Sequence, residues 1–113
     1  MAARSNDSPI APLLARSQEL APLLKLLGNR KRLLILCQLS AAGEMAVGAL
    51  AQSVGLSQSA LSQHLGRLRR EGLVTFRRQG QTLFYALSDG QTARLLEALK
   101  TIYCPEPAAQ AAL

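Results

Sequence analysis

Residue types on which most enzymes rely are scarce in this chain. Its 113 residues include one histidine, seven acidic residues and two cysteines, and the cysteines lack C-x-x-C spacing. The sequence also has no glycine-rich phosphate loop. Acid–base catalysis, metal-assisted hydrolysis and disulfide reduction each require a cluster of such groups. We therefore expect a protein that is not an enzyme and that carries no cofactor and no metal.

Features that direct a chain to a membrane are missing as well. The sequence has no long apolar run and no amphipathic helix with a strongly basic face. Its first residues, MAARSNDSPI, lack the charged start and apolar core of a signal peptide. We expect a cytoplasmic protein with no membrane partner. Because the cytoplasm is reducing, a bond between the two cysteines would act as a switch rather than as a permanent crosslink.

Positive charge, in contrast, is abundant. Lysine and arginine number 13 against seven acidic residues, which gives a formal net charge of +6. Arginine is concentrated between residues 57 and 87, where Glu71 is the only acidic residue. This local excess indicates a polyanionic partner. Hydrophobic residues make up 49% of the chain, which is enough for the core of one domain.

Residues 46–73 have the pattern of a helix-turn-helix. Apolar residues at the i, i+3, i+4, i+7 spacing indicate its first helix, and they are Val47, Leu50, Ala51 and Val54. Gly55 allows a sharp turn, and Ser57 can cap a second helix. The inward stripe of that second helix consists of Leu61, Leu65 and Leu68. Two helices joined by a short turn that contains glycine make up the motif.

The outward face of the second helix has the chemistry of a DNA reader. Its N-terminal half carries hydroxyl, amide and imidazole groups that can contact base edges, namely Ser57, Gln58, Ser59, Ser62, Gln63 and His64. Its C-terminal half carries groups for phosphates, namely Arg67, Arg69 and Arg70. An ordinary polar helix surface is the alternative interpretation, and the next segment makes it less favourable.

Residues 74–87, VTFRRQGQTLFYAL, predict a β-hairpin directly after the motif. Apolar and polar residues alternate on both sides of a turn at Gln79-Gly80. Arg77, Arg78 and Gln79 lie near the tip, where they can reach a phosphate or the minor groove. We therefore predict a winged helix-turn-helix, a mainly α fold with about five helices, a small β-hairpin wing and two to three short strands.

The segment before the motif predicts two more helices. Ser8-Pro9 has the residues of a helix start, and the leucines that follow continue the helix to Leu27. Asn29 can cap the next helix, which runs from Arg30 to about Leu39, and Gly43 ends it. The first helix is more apolar than a small domain needs, so its leucines either complete the core or are covered in a dimer.

The remaining segments complete the domain. Glu44-Met45 can pair with the wing as a short strand, and a last helix ends before Pro105. We place one domain at residues 9–104, with a disordered N-terminus at 1–8 and a short C-terminal tail at 105–113.

The order of LLKLLGNRKRLLIL, AVGALAQSVGLSQSALSQHLGRLRREGLV and the basic hairpin resembles the ArsR-type winged-helix bacterial repressors over residues 20–104. The resemblance implies a homodimer that binds a palindromic operator in double-stranded DNA and releases it when an inducer arrives. It also implies that the first and last helices join the protomers. The dimerisation residues we expect there are Leu13, Leu14, Leu20, Leu95, Leu99 and Ile102.

Members of this family differ in their inducer, and two metal-sensing arrangements do not match this sequence. One arrangement places two cysteines in the first half of the motif, where this chain has Ala46 and Gly48. The other places aspartate and histidine pairs on the last helix, where Asp89 has no histidine near it. Zinc and soft metals need such clusters of ligands. A metal-sensing repressor is therefore the least favoured alternative.

Cys37 and Cys104 remain as candidate sensor thiols. The pattern LLILCQL followed far downstream by IYCP is similar to the sulfide-responsive, biofilm-associated branch of the family. That resemblance implies that the last helix packs beside the helix of Cys37, that persulfide or polysulfide links the two thiols, and that sulfide-detoxification genes are controlled. We expect Cys37 to be desolvated and Cys104 to be modified first. A general oxidant sensor, and a pair of inert thiols with Cys37 as a small buried hydrophobe, remain alternatives.

Overall fold

The computed structural model describes residues 8–88 and 90–104, which form six helices and a three-stranded antiparallel sheet. The elements in chain order are α1 (Ala11–Ala15), α2 (Ser17–Leu27), α3 (Arg30–Ala42), β1 (Met45–Ala46), α4 (Val47–Val54), α5 (Gln58–Arg70), β2 (Val74–Gln79), β3 (Thr82–Leu87) and α6 (Gly90–Tyr103). The predicted winged helix-turn-helix is confirmed, with one helix more than expected. The expected disordered N-terminus, apart from Ser8, and the C-terminal tail lie outside the described residues.

The prediction of one continuous N-terminal helix was wrong, because the chain breaks at Arg16. The Arg16 amide donates a hydrogen bond to the carbonyl of Leu13 at 3.1 Å, and this tight closure ends α1. The start is also later than expected, since α1 begins at Ala11. Ser8 precedes it and accepts a hydrogen bond from a following amide at 3.2 Å.

The helix α3 begins after Asn29 and ends before Gly43, as predicted from the sequence. The Asn29 side chain accepts a hydrogen bond from the Arg32 amide at 3.1 Å and caps the first turn. Gly43, at φ 82°, ends the helix in a conformation that a side chain would disfavour. The helix reaches Ala42, three residues past the expected Leu39, because the glycine sets its end and the leucine pattern does not.

The core is centred on the helix-turn-helix and the helix before it. Its fully buried apolar side chains come from α3, α4 and α5, and they are Ile35, Leu36, Leu39, Leu50, Leu61, Leu65 and Leu68. The leucine stripe predicted for the second motif helix is therefore confirmed. Gly55 makes the turn in the left-handed region at φ 69°, and Ser57 caps α5 by accepting a hydrogen bond from the Ala60 amide at 3.1 Å.

The sheet has the strand order β1-β3-β2, with every neighbouring pair antiparallel. Gln79 pairs with Thr82, so the hairpin loop is Gly80-Gln81 and not the predicted Gln79-Gly80. Gly80 is the first residue of this two-residue loop, a position that requires a positive φ, and its φ is 64°. The short strand β1 is one residue later than predicted, at Met45–Ala46.

The last helix, α6, packs beside α3 and against β3, which is the arrangement that the family resemblance implied. Leu96 of α6 is buried, and Leu95 and Leu99 pack against the core with part of their surface exposed. None of the described helices is long and apolar enough to cross a membrane.

Candidate nucleic-acid interface and thiol groove

The second helix of the motif, α5, presents the polar face that was predicted from the sequence. Its inward stripe is buried, and the outward residues Gln58, Ser59, Ser62, Gln63 and Arg67 are exposed. His64 is half-buried, so only part of its imidazole is accessible. Ser57 has a second role, because its hydroxyl oxygen already accepts the capping hydrogen bond. The face therefore offers amides and hydroxyls towards solvent along the N-terminal half of the helix.

Three arginines in the last turn of α5 differ in their surroundings. The Arg69 guanidinium lies 4.3 Å from the centre of the Phe76 ring, so it stacks on the wing strand β2. In residues 8–88 and 90–104, Arg67 and Arg70 have neither a side-chain hydrogen bond nor an ion pair. These two arginines are the available cations for phosphates at this end of the helix.

The wing arginines also differ from each other. Arg77 donates from Nε and from a terminal nitrogen to both carboxylate oxygens of Glu44, at 2.8 and 2.9 Å. Its other terminal nitrogen donates to Oε1 of Gln79 at 2.9 Å, and its guanidinium lies 4.6 Å from the centre of the Phe84 ring. Arg78 is exposed and has no such partner in the described part of the chain.

The ion pair shifts the pKa of each member in the direction that favours its charged form. Hydrogen bonds from Arg77 lower the pKa of the Glu44 carboxyl, and the same bonds raise the pKa of Arg77. Both groups therefore stay charged over the neutral range. From the sequence, Glu44 was expected only to belong to a short strand, because no spacing rule connects it to a residue 33 positions away.

The two cysteines line one groove between α3 and α6. The groove has a volume of about 500 Å³ and mainly apolar walls, formed by Leu33, Cys37, Ser40, Ala41, Leu96, Glu97, Leu99, Lys100, Tyr103 and Cys104. Both cysteines are free thiols and both are exposed. Cys104 follows the last turn of α6, where its amide donates to the Lys100 carbonyl at 2.8 Å. The fold thus brings together the two thiols that the sequence analysis proposed as a pair.

The environment of Cys37 differs in part from the expectation. It was expected to be desolvated inside a helix, but its residue surface is exposed in the groove. The packed part of the side chain still raises its pKa, and negative charge on Cys104 raises it further. The raised pKa of Cys37 has the expected direction, and the order in which the two thiols react stays a prediction. The alternative in which Cys37 is a buried hydrophobe loses its physical basis.

Metal ligands are not clustered. Residues 8–88 and 90–104 contain no group of three or more histidine, cysteine, aspartate or glutamate side chains that could hold a metal ion. A metal centre built from these residues would fall short of the four ligands that structural zinc requires.

Of the predicted dimerisation residues, Leu13, Leu14 and Ile102 are more than half exposed, and Leu20, Leu95 and Leu99 are partly buried. Three further large hydrophobic residues are exposed, and the sequence analysis did not include them in this group: Ile10, Leu24 and Tyr103. Helical periodicity could not identify them, because it does not distinguish a stripe that faces the core from one that faces solvent.

One polar contact joins the helix of Cys37 to the motif, and the sequence did not reveal it. Lys31, in the first turn of α3, donates from Nζ to the carbonyl of Val54 at 3.1 Å. Val54 is the last residue of α4, directly before the Gly55 turn. This contact satisfies a helix-terminal carbonyl and fixes the position of α3 relative to the turn that leads into α5.

Comparison with known proteins agrees with this geometry. The sequence profile described as "Bacterial regulatory protein, arsR family" matches residues 29–75. The transcriptional activator HlyU of Vibrio cholerae serotype O1 is 50% identical over 82 residues, which is 73% of this chain and 75% of HlyU. The crystal structure of the transcriptional repressor BigR from Xylella fastidiosa superposes with a TM-score of 0.79 at 40% identity and covers 88% of this chain and all of BigR.

A solution structure gives a third comparison. The homodimeric winged helix-turn-helix DNA-binding domain of Mb0332 from Mycobacterium bovis superposes with a TM-score of 0.67 at 33% identity, over 84% of this chain and 85% of that fragment. The profile match, the extent of the HlyU match and the shared architecture lead to one assignment. This chain belongs to the ArsR family of bacterial regulatory proteins, which are winged helix-turn-helix regulators of transcription.

Proposed function

We propose that this protein is a homodimeric DNA-binding repressor that releases a palindromic operator when reactive sulfur species link Cys37 to Cys104. The observation that carries the proposal is the position of both thiols in one groove between α3 and α6. Two thiols in one groove can be bridged, and no group of three or more histidine, cysteine or acidic side chains that could hold a metal is found in the described part of the chain. Persulfide or polysulfide is the inducer, and genes for sulfide detoxification are the regulated set.

The proposed chemistry has two steps. The Cys104 thiolate attacks the outer sulfur of a low-molecular-weight persulfide, the sulfur–sulfur bond of the donor breaks, and the donor leaves as a thiolate. The Cys37 thiolate then attacks the inner sulfur of the Cys104 persulfide, which forms a disulfide and releases hydrosulfide. If Cys37 has also taken up sulfur before this step, the bridge retains an extra sulfur atom. Cys104 acts first because the raised pKa of Cys37 leaves less of it as thiolate at neutral pH.

The bridge would reach the DNA-binding surface through α3. A covalent link to α6 restrains α3, which carries Lys31 as well as Cys37. Lys31 holds the carbonyl at the end of α4, so a shift of α3 changes the support of the turn before the recognition helix. A coupling free energy of about 1–3 kcal/mol lowers affinity by about 5- to 150-fold. Such a change is enough to empty an operator.

The proposed DNA-binding surface combines α5 and the wing. Base edges are read by the outward side chains at the start of α5, which are Ser57 at the N-cap, Gln58, Ser59, Ser62, Gln63 and the half-buried His64. Phosphates are bound by Arg67, Arg69 and Arg70 at the end of α5 and by Arg78 and Gln79 of the wing. Arg77, which was predicted to join them, is paired with Glu44. In a homodimer, two such helices enter successive major grooves about 34–36 Å apart.

The proposed dimer interface is built from the exposed apolar side chains of the outer helices. It includes the six predicted residues Leu13, Leu14, Leu20, Leu95, Leu99 and Ile102. Each Å² of apolar surface that the dimer removes from water stabilises it by about 25 cal/mol. The homodimeric state of Mb0332 supports this arrangement, since it shares the fold. The interface includes α6, so a thiol bridge at Cys104 and the dimer geometry are coupled.

The intact mass of the protein tests the sensor. Reduced protein is treated separately with a low-molecular-weight persulfide, with peroxide and with a glutathione disulfide buffer. A bridge between Cys37 and Cys104 that forms only with the persulfide, with or without retained sulfur atoms, supports the proposal. A bridge with every reagent supports the second candidate, a general thiol-switch repressor, which the same two exposed thiols favour. No reaction with any reagent contradicts both.

DNA binding by a matched variant provides the control. The double variant Cys37→Ser, Cys104→Ser keeps the size of both side chains and removes the sulfur chemistry. We expect it to bind DNA as the reduced protein does and to remain bound after persulfide treatment. Release of DNA by this variant would show that the inducer acts elsewhere.

A further inference from the structure

Arg77 spans the whole width of the sheet on one face. It belongs to β2, lies over the ring of its cross-strand partner Phe84 on β3, and ends at Glu44, directly before β1. The two hydrogen bonds to Glu44 use both carboxylate oxygens, which is the bidentate geometry that arginine forms best. A third bond, to Gln79, holds the guanidinium from the hairpin side.

This contact connects the wing to the root of the motif. The wing is otherwise joined to β1 by only two register pairs, both of them with β3. The outer strand β2 has no pairing with β1, so Arg77 supplies a direct link between them. Because β1 leads straight into α4, the link sets the orientation of the wing relative to the helix-turn-helix.

The charge balance of the wing follows from the same contact. Arg77 carries one positive charge, and the paired Glu44 carboxylate cancels it at close range. Arg78, the next residue, is exposed, and within the described ranges its side chain has no hydrogen bond and no ion pair. A phosphate that approaches the wing therefore meets one uncompensated cation per protomer instead of the two that the sequence indicates.

We propose that Glu44 keeps Arg77 as an internal brace of the wing, so that Arg78 is the wing residue that binds DNA phosphate and Glu44 is a determinant of DNA affinity. Arg77 is then a positioning residue and not a DNA contact. The inference rests on the DNA-binding part of the proposed function and is independent of the thiols. Arg77 and Arg78, which were both predicted to contact DNA, therefore have different roles: Arg77 braces the wing and Arg78 binds phosphate.

The salt dependence of binding to duplex DNA separates the roles. The probe is a 30-base-pair duplex of mixed sequence, because each phosphate contact contributes about 0.9 to the slope of log affinity against log salt whatever the sequence. Three variants are compared with the unmodified protein, namely Arg77→Gln, Glu44→Gln and the matched neighbour control Arg78→Gln. Circular dichroism melting of each variant establishes that the fold is retained.

We expect Arg78→Gln to lower the magnitude of the slope by about 0.9 per protomer, which is about a three- to fourfold change in relative affinity between 50 and 200 mM salt. Arg77→Gln should leave the slope unchanged. Glu44→Gln should raise its magnitude by about 0.9 per protomer, because the released Arg77 becomes available to a phosphate. The larger slope of Glu44→Gln is the most discriminating outcome, because loss of a structural contact alone would not create a new phosphate contact.

The opposite pattern would overturn the inference. If Arg77→Gln lowers the slope by about 0.9 per protomer and Glu44→Gln leaves it unchanged, Arg77 exchanges its carboxylate partner for a phosphate on binding. A slope that does not respond to Arg78→Gln also contradicts the assignment. If the unmodified protein shows no salt-dependent binding to DNA, the proposed function itself is contradicted. If it binds and Arg77→Gln lowers the slope, only this inference is contradicted.

Discussion

The DNA-reading half of the chain, from α3 to β3, and the outer helices α1, α2 and α6 differ in the burial of their apolar side chains. In the reading half, Leu50 and Leu61 are fully buried. In the outer helices, Leu13 is 54% exposed and Ile102 is 66% exposed. The large exposed hydrophobic residues of the described chain all lie in the outer helices or, in the case of Ile10, directly before α1.

The difference indicates that the two regions are completed in different ways. The reading half reaches a closed core within one chain, and the Ser57 side chain caps its second motif helix. The outer helices keep apolar surface that a second protomer would cover, since an exposed patch of this kind marks an interaction surface. The thiol groove lies at the boundary of the two regions, between α3 and α6, where a bridge can act on both.

The largest effect is expected at this boundary, from removal of one thiol at a time. The Cys104→Ser protein should take up little or no sulfur from a persulfide, because partial burial still raises the pKa of the remaining Cys37 thiol after the charge of Cys104 is removed. The Cys37→Ser protein should take up sulfur at Cys104 and form no bridge. Intact mass followed by peptide mapping measures both. Sulfur uptake by the Cys104→Ser protein and none by the Cys37→Ser protein would reverse the proposed order.

The next effect concerns the closed core. Leu61→Ala should lower the free energy of unfolding by about 2–5 kcal/mol, because a fully buried leucine leaves a cavity. Ser62→Ala is the matched control, one position along on the exposed face of the same helix, and should change stability by less than about 0.5 kcal/mol. Urea unfolding monitored by circular dichroism gives both values. Equal effects would show that the reading half is not closed on its own.

A smaller effect is expected from the open surface of the outer helices. Leu13→Glu places a charge where the proposed partner packs, and we expect the dimer dissociation constant to rise at least about tenfold, or about 1.4 kcal/mol. Gln18→Glu adds the same charge to an exposed polar position and should leave the constant unchanged. Sedimentation equilibrium measures the change. A dimer that tolerates Leu13→Glu would place its interface away from α1.

The same contrast explains how far the sequence could predict the structure. The reading half was predictable because its signals are local, with glycine at the turn, serine at the cap and leucine at helical spacing. The break at Arg16 was not predictable, since leucines repeat on both sides of it and only a backbone hydrogen bond marks the end of α1. The hairpin turn was placed one residue too early, because Gln79-Gly80 and Gly80-Gln81 both satisfy the glycine rule.

The candidate site shows the same limit for side-chain partners. The thiol pair could be proposed only through the family resemblance, because periodicity cannot bring together residues on α3 and α6. The Glu44–Arg77 pair and the Lys31–Val54 contact had no signal at all, since each joins residues far apart in the chain. Charge counting therefore overstated the cationic surface of the wing, where one of the two arginines is already paired.

The smallest effect is expected from acid, and it tests the paired polar side chains of the reading half. The pKa of Glu44 is lowered in the folded protein by hydrogen bonds from Arg77, whereas in the unfolded chain it takes its ordinary value of about 4.3. The pair therefore stabilises the folded state fully above that ordinary value. Its contribution is lost as the pH falls through the lower folded-state pKa, where the carboxylate is protonated in both states.

The Glu44→Gln protein should accordingly be less stable than the unmodified protein at neutral pH, and the difference should shrink to nothing at strongly acidic pH. Because the pair is exposed and screened, the difference should be small and should decrease with added salt. Thermal unfolding of the two proteins in parallel over an acidic pH series measures it. A difference that persists at the acid end would mean that the glutamine perturbs the loop before β1 by its shape, and the wing would then be held by pairing of the strands and not by charge.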